Sequence, residues 1–205
     1  MARNAIILTA ALLGACGCTP GYRVYVNGYS ELAEPVPQHA SIYVVTDPNA
    51  LNPIFERQIK TSADALLRDY GYRVAETPEV ADYTLGFQVR MESEKVAGYT
   101  PIYHSYFGGY GRHPSAFGLG YTSYVPHFDT LYDQWLILRL LKPGPAGGTV
   151  VWVGEAMMST DQADLRETID YLLVGCIEYL GVDTGRKVTM FIKKDDPRIM
   201  GMGHD

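Results

Sequence analysis

The order of hydrophobic and polar positions predicts a short series of elements. Ser41-Ile42-Tyr43-Val44-Val45 is a β-branched and aromatic run that stops at Asp47-Pro48-Asn49, a strand followed by a turn. Asn52 then offers a capping side chain and Pro53 suits the first helical position, so a helix begins there. Phe55, Ile59, Ala63, Leu66, Leu67 and Tyr70 recur at spacings of three and four, which gives that helix one face to bury. Glu56 to Lys60 and Asp64 to Arg68 are favourable i,i+4 pairs, and Gly71 supplies the stop. Tyr72-Arg73-Val74 restarts as a short strand, and Tyr83, Leu85, Phe87 and Val89 alternate with Thr84, Gly86, Gln88 and Arg90 as a half-buried one.

Trp135 to Leu141 and Val150 to Met157 flank Lys142-Pro143-Gly144-Pro145-Ala146-Gly147-Gly148, which predicts a hairpin. A second long helix is expected from about Asp161 to Leu180, capped by Thr160 or Asp161, with Leu165, Ile169, Leu172, Leu173, Cys176, Ile177 and Leu180 on one stripe. Lys187 to Lys193 reads as a last strand, and residues 195–205 as a loosely ordered polar tail. The order β-α-β-β-insertion-β-β-α-β fits an α+β two-layer sandwich: a mixed β-sheet of about five to six strands with two long helices on one face.

Composition narrows the function classes. The chain has 205 residues and 47% hydrophobic content, enough for one ordinary domain with a packed core, which excludes disorder throughout. A formal net charge of -6 argues against a nucleic-acid partner, whose phosphates are neutralised by Lys and Arg. Only one apolar run approaches membrane-spanning length, which excludes a polytopic membrane protein.

That run is at the start. Arg3 precedes Ala5 to Ala15, which has no charged side chain, is too short to span a bilayer and ends in small residues, the pattern of an export signal. Leu13-Gly14-Ala15-Cys16 resembles the lipobox of bacterial lipoproteins. The resemblance implies a diacylglyceryl group on the Cys16 thiol, cleavage after Ala15, an acylated new amino terminus and stable anchoring by two or three chains. Gly17 stands where an Asp would resemble an inner-membrane retention signal, which implies the outer membrane, periplasm-facing. Cys18 offers a weaker register, and a secreted soluble protein is the alternative. Residues 1–15 are thus expected as signal peptide, 16–40 as a Gly- and Pro-rich tether spanning roughly 25 to 30 Å, and 41–194 as the domain. Within the tether Tyr22 to Val26 has strand character and could dock on the domain edge. Cys176, on the apolar stripe, reads as a small buried hydrophobe.

The segment TDPNALNPIFERQIKTSADALLRDYGYRVAETPEVADYTLGFQV, with LYDQWLILRLL, VVWVGEA and the last helix, resembles the domain-of-unknown-function four-one-three-six lipoprotein family over roughly residues 42 to 181. The resemblance implies a bacterial envelope lipoprotein of α/β type with no catalytic residue to transfer. The β-like segment and tail after the helix depart from it.

The insertion Gly98 to Asp129 is the candidate site. Tyr99, Tyr103, Tyr106, Tyr110, Tyr121 and Tyr124 offer flat apolar faces with hydroxyl tips, suited to stacking on sugar rings or anchoring in protein interfaces. The other reading is a long flexible hairpin whose tyrosines cover neighbouring surface. His104, His113 and His127 match no compact metal-ligand spacing, and Asp195-Asp196 reads as solvated surface. The sequence carries no nucleophile elbow, zinc-protease motif or P-loop, and its glycine cluster near Gly108 precedes no helix. The expectation is therefore a membrane-anchored, non-catalytic binding or scaffolding domain with no cofactor or metal, meeting an envelope protein or cell-wall component. An accessory subunit of an envelope transport or assembly complex, and an enzyme using loop His and Tyr residues, are the alternatives.

Overall fold

The computed structural model describes residues 20–106, 119–144 and 148–202. The fold is α+β with a mixed sheet. Its strands are β1 (Gly21–Ser30), β2 (Ser41–Val45), β3 (Arg73–Val74), β4 (Tyr83–Tyr106), β5 (Leu119–Lys142), β6 (Thr149–Thr160) and β7 (Val188–Lys193). Its helices are α1 (Pro53–Asp69), α2 (Ile169–Glu178) and α3 (Pro197–Gly201). The sheet has seven strands in the order β3-β2-β4-β5-β6-β1-β7. β2 runs parallel to β3 and β4, and the remaining neighbours are antiparallel.

The sheet exceeds the expected five to six strands because residues 21–30, expected within the tether, form β1. β1 does not dock on an edge: Tyr25 pairs with Met157 of β6 on one side and Thr189 of β7 on the other. The cause is alternation. Val24 and Val26 point into the core with no exposure, next to Leu136, Leu138 and Ala156 of the same buried face. Gly175 of α2 rests on β1 so closely that a Cβ there would meet Val24 Cγ1 at 2.9 Å. The chain between Cys16 and the first strand is therefore only Gly17 to Pro20.

Local signals explain α1. Asn52 Oδ1 accepts from the Phe55 N–H at 3.1 Å, Pro53 occupies the first turn, and Gly71 leaves the helix at φ +87°. The charges pair differently from expectation: Lys60 bridges to Asp64 at 2.9 Å, while the Glu56 carboxylate accepts from the Asp47 N–H at 2.7 Å. Ile59, Ala63, Leu66 and Leu67 are buried as the spacing requires.

The second helix is shorter than expected. Thr160 Oγ1 accepts from the Gln162 N–H, a 3-10 turn covers Leu165–Glu167, and α2 runs only from Ile169 to Glu178. Every residue from Ile169 to Ile177 is buried, because α2 contacts β1, β5 and β6 on one side and α1 and α3 on the other. A single apolar stripe underestimates a helix enclosed in this way. At its start the buried Thr168 hydroxyl donates to Gln134 Oε1, and Gln134 Nε2 donates to the Gln162 carbonyl at 2.8 Å. These polar groups close the core beside the last β5–β6 pair, Tyr132 with Thr160.

The expected polar tail also differs. Asp196 caps α3 by accepting from the Arg198 N–H, and Met202 is buried in the core. Arg198 Nη1 donates to Tyr70 Oη at 2.9 Å and to Glu178 Oε2 at 2.7 Å, while Nη2 reaches Asp196 at 2.8 Å. This guanidinium ties α3 to α1 and α2. Tyr70 donates to Glu178 in turn, and burial followed by that carboxylate pushes its phenol up to about 12.

Two outcomes follow for stability. Because β1 is an internal strand, Val26→Ala should lower the unfolding free energy by about 2 kcal/mol in a urea titration, whereas a tether residue would change it negligibly. The Tyr70 phenol lies above its ordinary 10.0, so its contribution is present below pH 10 and is lost as pH rises toward about 12. Tyr70→Phe should flatten that alkaline limb in denaturation curves taken across the window.

Candidate functional site

The described residues of the insertion continue the sheet. β4 and β5 pair without a break from Thr84↔Leu141 to Tyr106↔Leu119, whereas β5 and β6 stop at Tyr132↔Thr160. From Glu94↔Leu131 outward the pair is therefore a two-stranded ribbon with no strand beside it among the described residues. Its arms are the expected insertion; residues 107–118, with Tyr110 and His113, lie outside the described residues.

Register decides what each face carries, since directly opposed residues share a face and alternate residues change it. One face places Phe128 opposite Ala97, Tyr99 opposite Pro126, Tyr124 opposite Pro101 and Tyr103 opposite Thr122. The rings thus alternate between strands on successive rungs, each with a small or rigid partner and about 7 Å farther out. They are open to solvent, Tyr99 at 67%, Tyr103 at 80%, Tyr124 at 66% and Phe128 at 72% exposure. Three of the six expected tyrosines are brought together here, and Phe128 joins them. Its signal in the sequence was the alternation Tyr124-x-Pro126-x-Phe128 facing Tyr99-x-Pro101-x-Tyr103.

Tyr121 is on the opposite face, where it stacks on His104 with ring centroids 4.7 Å apart. His104 Nε2 bonds Ser123 Oγ at 2.8 Å, and His127 bonds Thr100 through Nδ1 at 3.2 Å and Asp129 through Nε2 at 3.0 Å. Val96, Ile102 and Val125 share this face, so it is mixed rather than polar throughout. Tyr106 pairs through its backbone with Leu119 at the outermost described rung.

Other candidate chemistry lies elsewhere. An open hollow of about 480 Å³ is bordered by His39, Arg73, Asp82, Tyr83 and Lys142, at the end of the sheet away from the ribbon. There the Ser41 N–H and hydroxyl hold the exposed Asp82 carboxyl below its ordinary range, with Arg73 adding a smaller effect. A second hollow of about 420 Å³, between the start of α1 and β4, is lined mainly by Leu51, Phe55, Ile59, Phe87, Val89 and Leu165. Neither contains His104 or His127. Cys176 is fully buried, and desolvation pushes its thiol far above the ordinary range, aided by the Glu155 charge. Among the described residues no group of three or more His, Cys, Asp or Glu side chains is placed to hold a metal ion. No described helix is long and apolar enough to cross a membrane.

No protein-family model and no curated protein matches the chain. Among solved structures it is similar to the PelC dodecamer from Paraburkholderia phytofirmans, at 14% identity and a TM-score of 0.44, covering 78% of this chain and 99% of that one. It is also similar to a PDZ domain protein from Parabacteroides distasonis, at 17% identity and a TM-score of 0.46, covering 85% of this chain and 40% of that one. Likeness at this level is too distant to carry an argument about function.

The aromatic face bears no load in the core. Tyr103→Ser should therefore leave the urea midpoint within about 0.5 kcal/mol of the parent chain; a loss well above that would place the ring in the packed interior.

Proposed function

We propose that this chain is an acylated bacterial envelope lipoprotein whose α+β domain binds rather than catalyses, with the aromatic face of the β4–β5 ribbon as its docking surface. The single observation that carries the reading is that row: Tyr99, Tyr103, Tyr124 and Phe128, on one face and each more than half exposed. A monomeric domain rarely leaves so many large rings in water on one side unless another surface meets them. The lipobox-like Leu13-Gly14-Ala15-Cys16 supplies the anchor, and Gly17 directs the reading to the outer membrane, periplasm-facing. The resemblance to the four-one-three-six lipoproteins points to the same compartment. The buried thiol of Cys176 and the outward, self-satisfied imidazoles of His104 and His127 favour binding over chemistry at the ribbon.

A second reading, an accessory subunit of an envelope assembly, draws on β7. This strand ends the sheet order, and its outer edge has no partner strand among the described residues. Such an edge can accept a strand from another protein.

The anchor is tested by fractionation and mass spectrometry of the mature chain. An amino-terminal peptide that begins at Cys16 and carries acyl groups, with Cys16→Ser shifting the protein from the membrane to the periplasmic fraction, is the expected result. An unmodified Cys16 on soluble material would refute the proposal.

A further inference from the structure

The ribbon and the amino terminus leave the sheet at the same end. Tyr25 of β1 is level with Met157, Trp135 and Arg90 across the sheet. Following β1 back from Tyr25 to Gly21 therefore leads past Thr160 to the level of Glu94 and Leu131, where the ribbon begins. From there the ribbon continues away from the sheet for thirteen pairs, to Tyr106↔Leu119, a length of about 40 Å.

Chain length sets the distance to the anchor. Five residue steps separate Cys16 from Gly21, and fully extended they reach only about 17 Å. A ribbon more than twice as long, leaving the same end, has no room to stand upright above a bilayer that holds Cys16. It must enter the lipid or lie along it.

We infer that the partner of the aromatic face is the bilayer surface itself, with the ribbon lying in the headgroup region, rings toward the acyl chains. The inference rests on the lipoprotein reading above. Composition fits this setting: residues 96–106 and 119–128 contain no Asp, Glu, Lys or Arg. Tyrosine is favoured at the membrane–water boundary, where the ring meets apolar chains and the hydroxyl keeps water or headgroup partners. Passage through the hydrocarbon is disfavoured, because both long edges of an isolated ribbon would carry unpaired backbone groups there. β2 runs parallel to β4 and exits toward the ribbon, and the segment it leads into exposes Leu51 completely and Ile54 at 70%.

The test uses the full acylated chain in vesicles of phosphatidylethanolamine and phosphatidylglycerol. Tyr103→Trp and Phe128→Trp variants are read against the parent for fluorescence quenching by lipids brominated near the headgroup. Each added signal should fall at least twofold, whereas Val182→Trp, beside Gly28 at the far end of β1, should be unaffected. Hydrogen–deuterium exchange of the unsubstituted chain guards against misfolded variants: amides of residues 96–104 and 121–128 should exchange several-fold more slowly on vesicles than in the free Cys16→Ser chain. Acylated protein whose positions 103 and 128 escape quenching and whose ribbon exchange is unchanged would overturn the inference while leaving the anchor intact. Crosslinking of the unquenched ribbon to an envelope protein or glycan would likewise overturn it and identify the true occupant. A Cys16 without acyl groups would overturn both.

Discussion

The unbroken pairing of β4 with β5 is the constraint from which the rest of this molecule follows. The same ladder that places Leu85 against Leu140 in the core places Tyr99 against Pro126 in solvent. Because alternation has a period of two, one register decides both which side chains pack beneath the helices and which stand in a row beyond them. A slip of one residue would scatter the rings and turn Leu136, Leu138 and Leu140 outward. The buried face therefore disciplines the exposed one, and the ribbon needs no partner strand to keep its register.

The second consequence comes from β1. Once Val24 and Val26 are committed to the core, the chain has little length left between the sheet and Cys16. An acyl anchor on Cys16 then becomes a restraint on orientation as well as on location. Under the lipoprotein proposal, the end of the sheet that carries the ribbon, with Lys193 of β7 opposite Gly21, is the end nearest the anchor. The polar hollow at His39, Arg73 and Asp82 is at the opposite end of the sheet.

Much of the domain was legible in the sequence. Asn52-Pro53 and Gly71 bounded α1, the alternation from Tyr83 to Val89 marked a strand, and the Pro and Gly run after Lys142 separated β5 from β6. What was missed has physical causes. Gly21 to Ser30 looked like tether because its glycines weaken a strand pattern, yet Gly28 sits where a Cβ would meet the Val182 carbonyl at 2.4 Å. The residues before Ile169 follow a helical spacing but spend their hydrogen bonds on local turns at Thr160 and Asp164. The tail is held by one guanidinium whose partners, Tyr70 and Glu178, are remote in sequence. In the insertion the tyrosines were evident as a cluster. Their division between faces was not, because it depends on the register of two arms whose pairing begins far away at Thr84 and Leu141.

Neutron reflectometry of the acylated chain on a supported bilayer tests the orientation most directly. Protein density that begins within the headgroup layer, with no intervening water, is the predicted profile. A hydrated layer between the headgroups and the protein, up to the roughly 17 Å that the five steps from Cys16 to Gly21 can bridge, would contradict it.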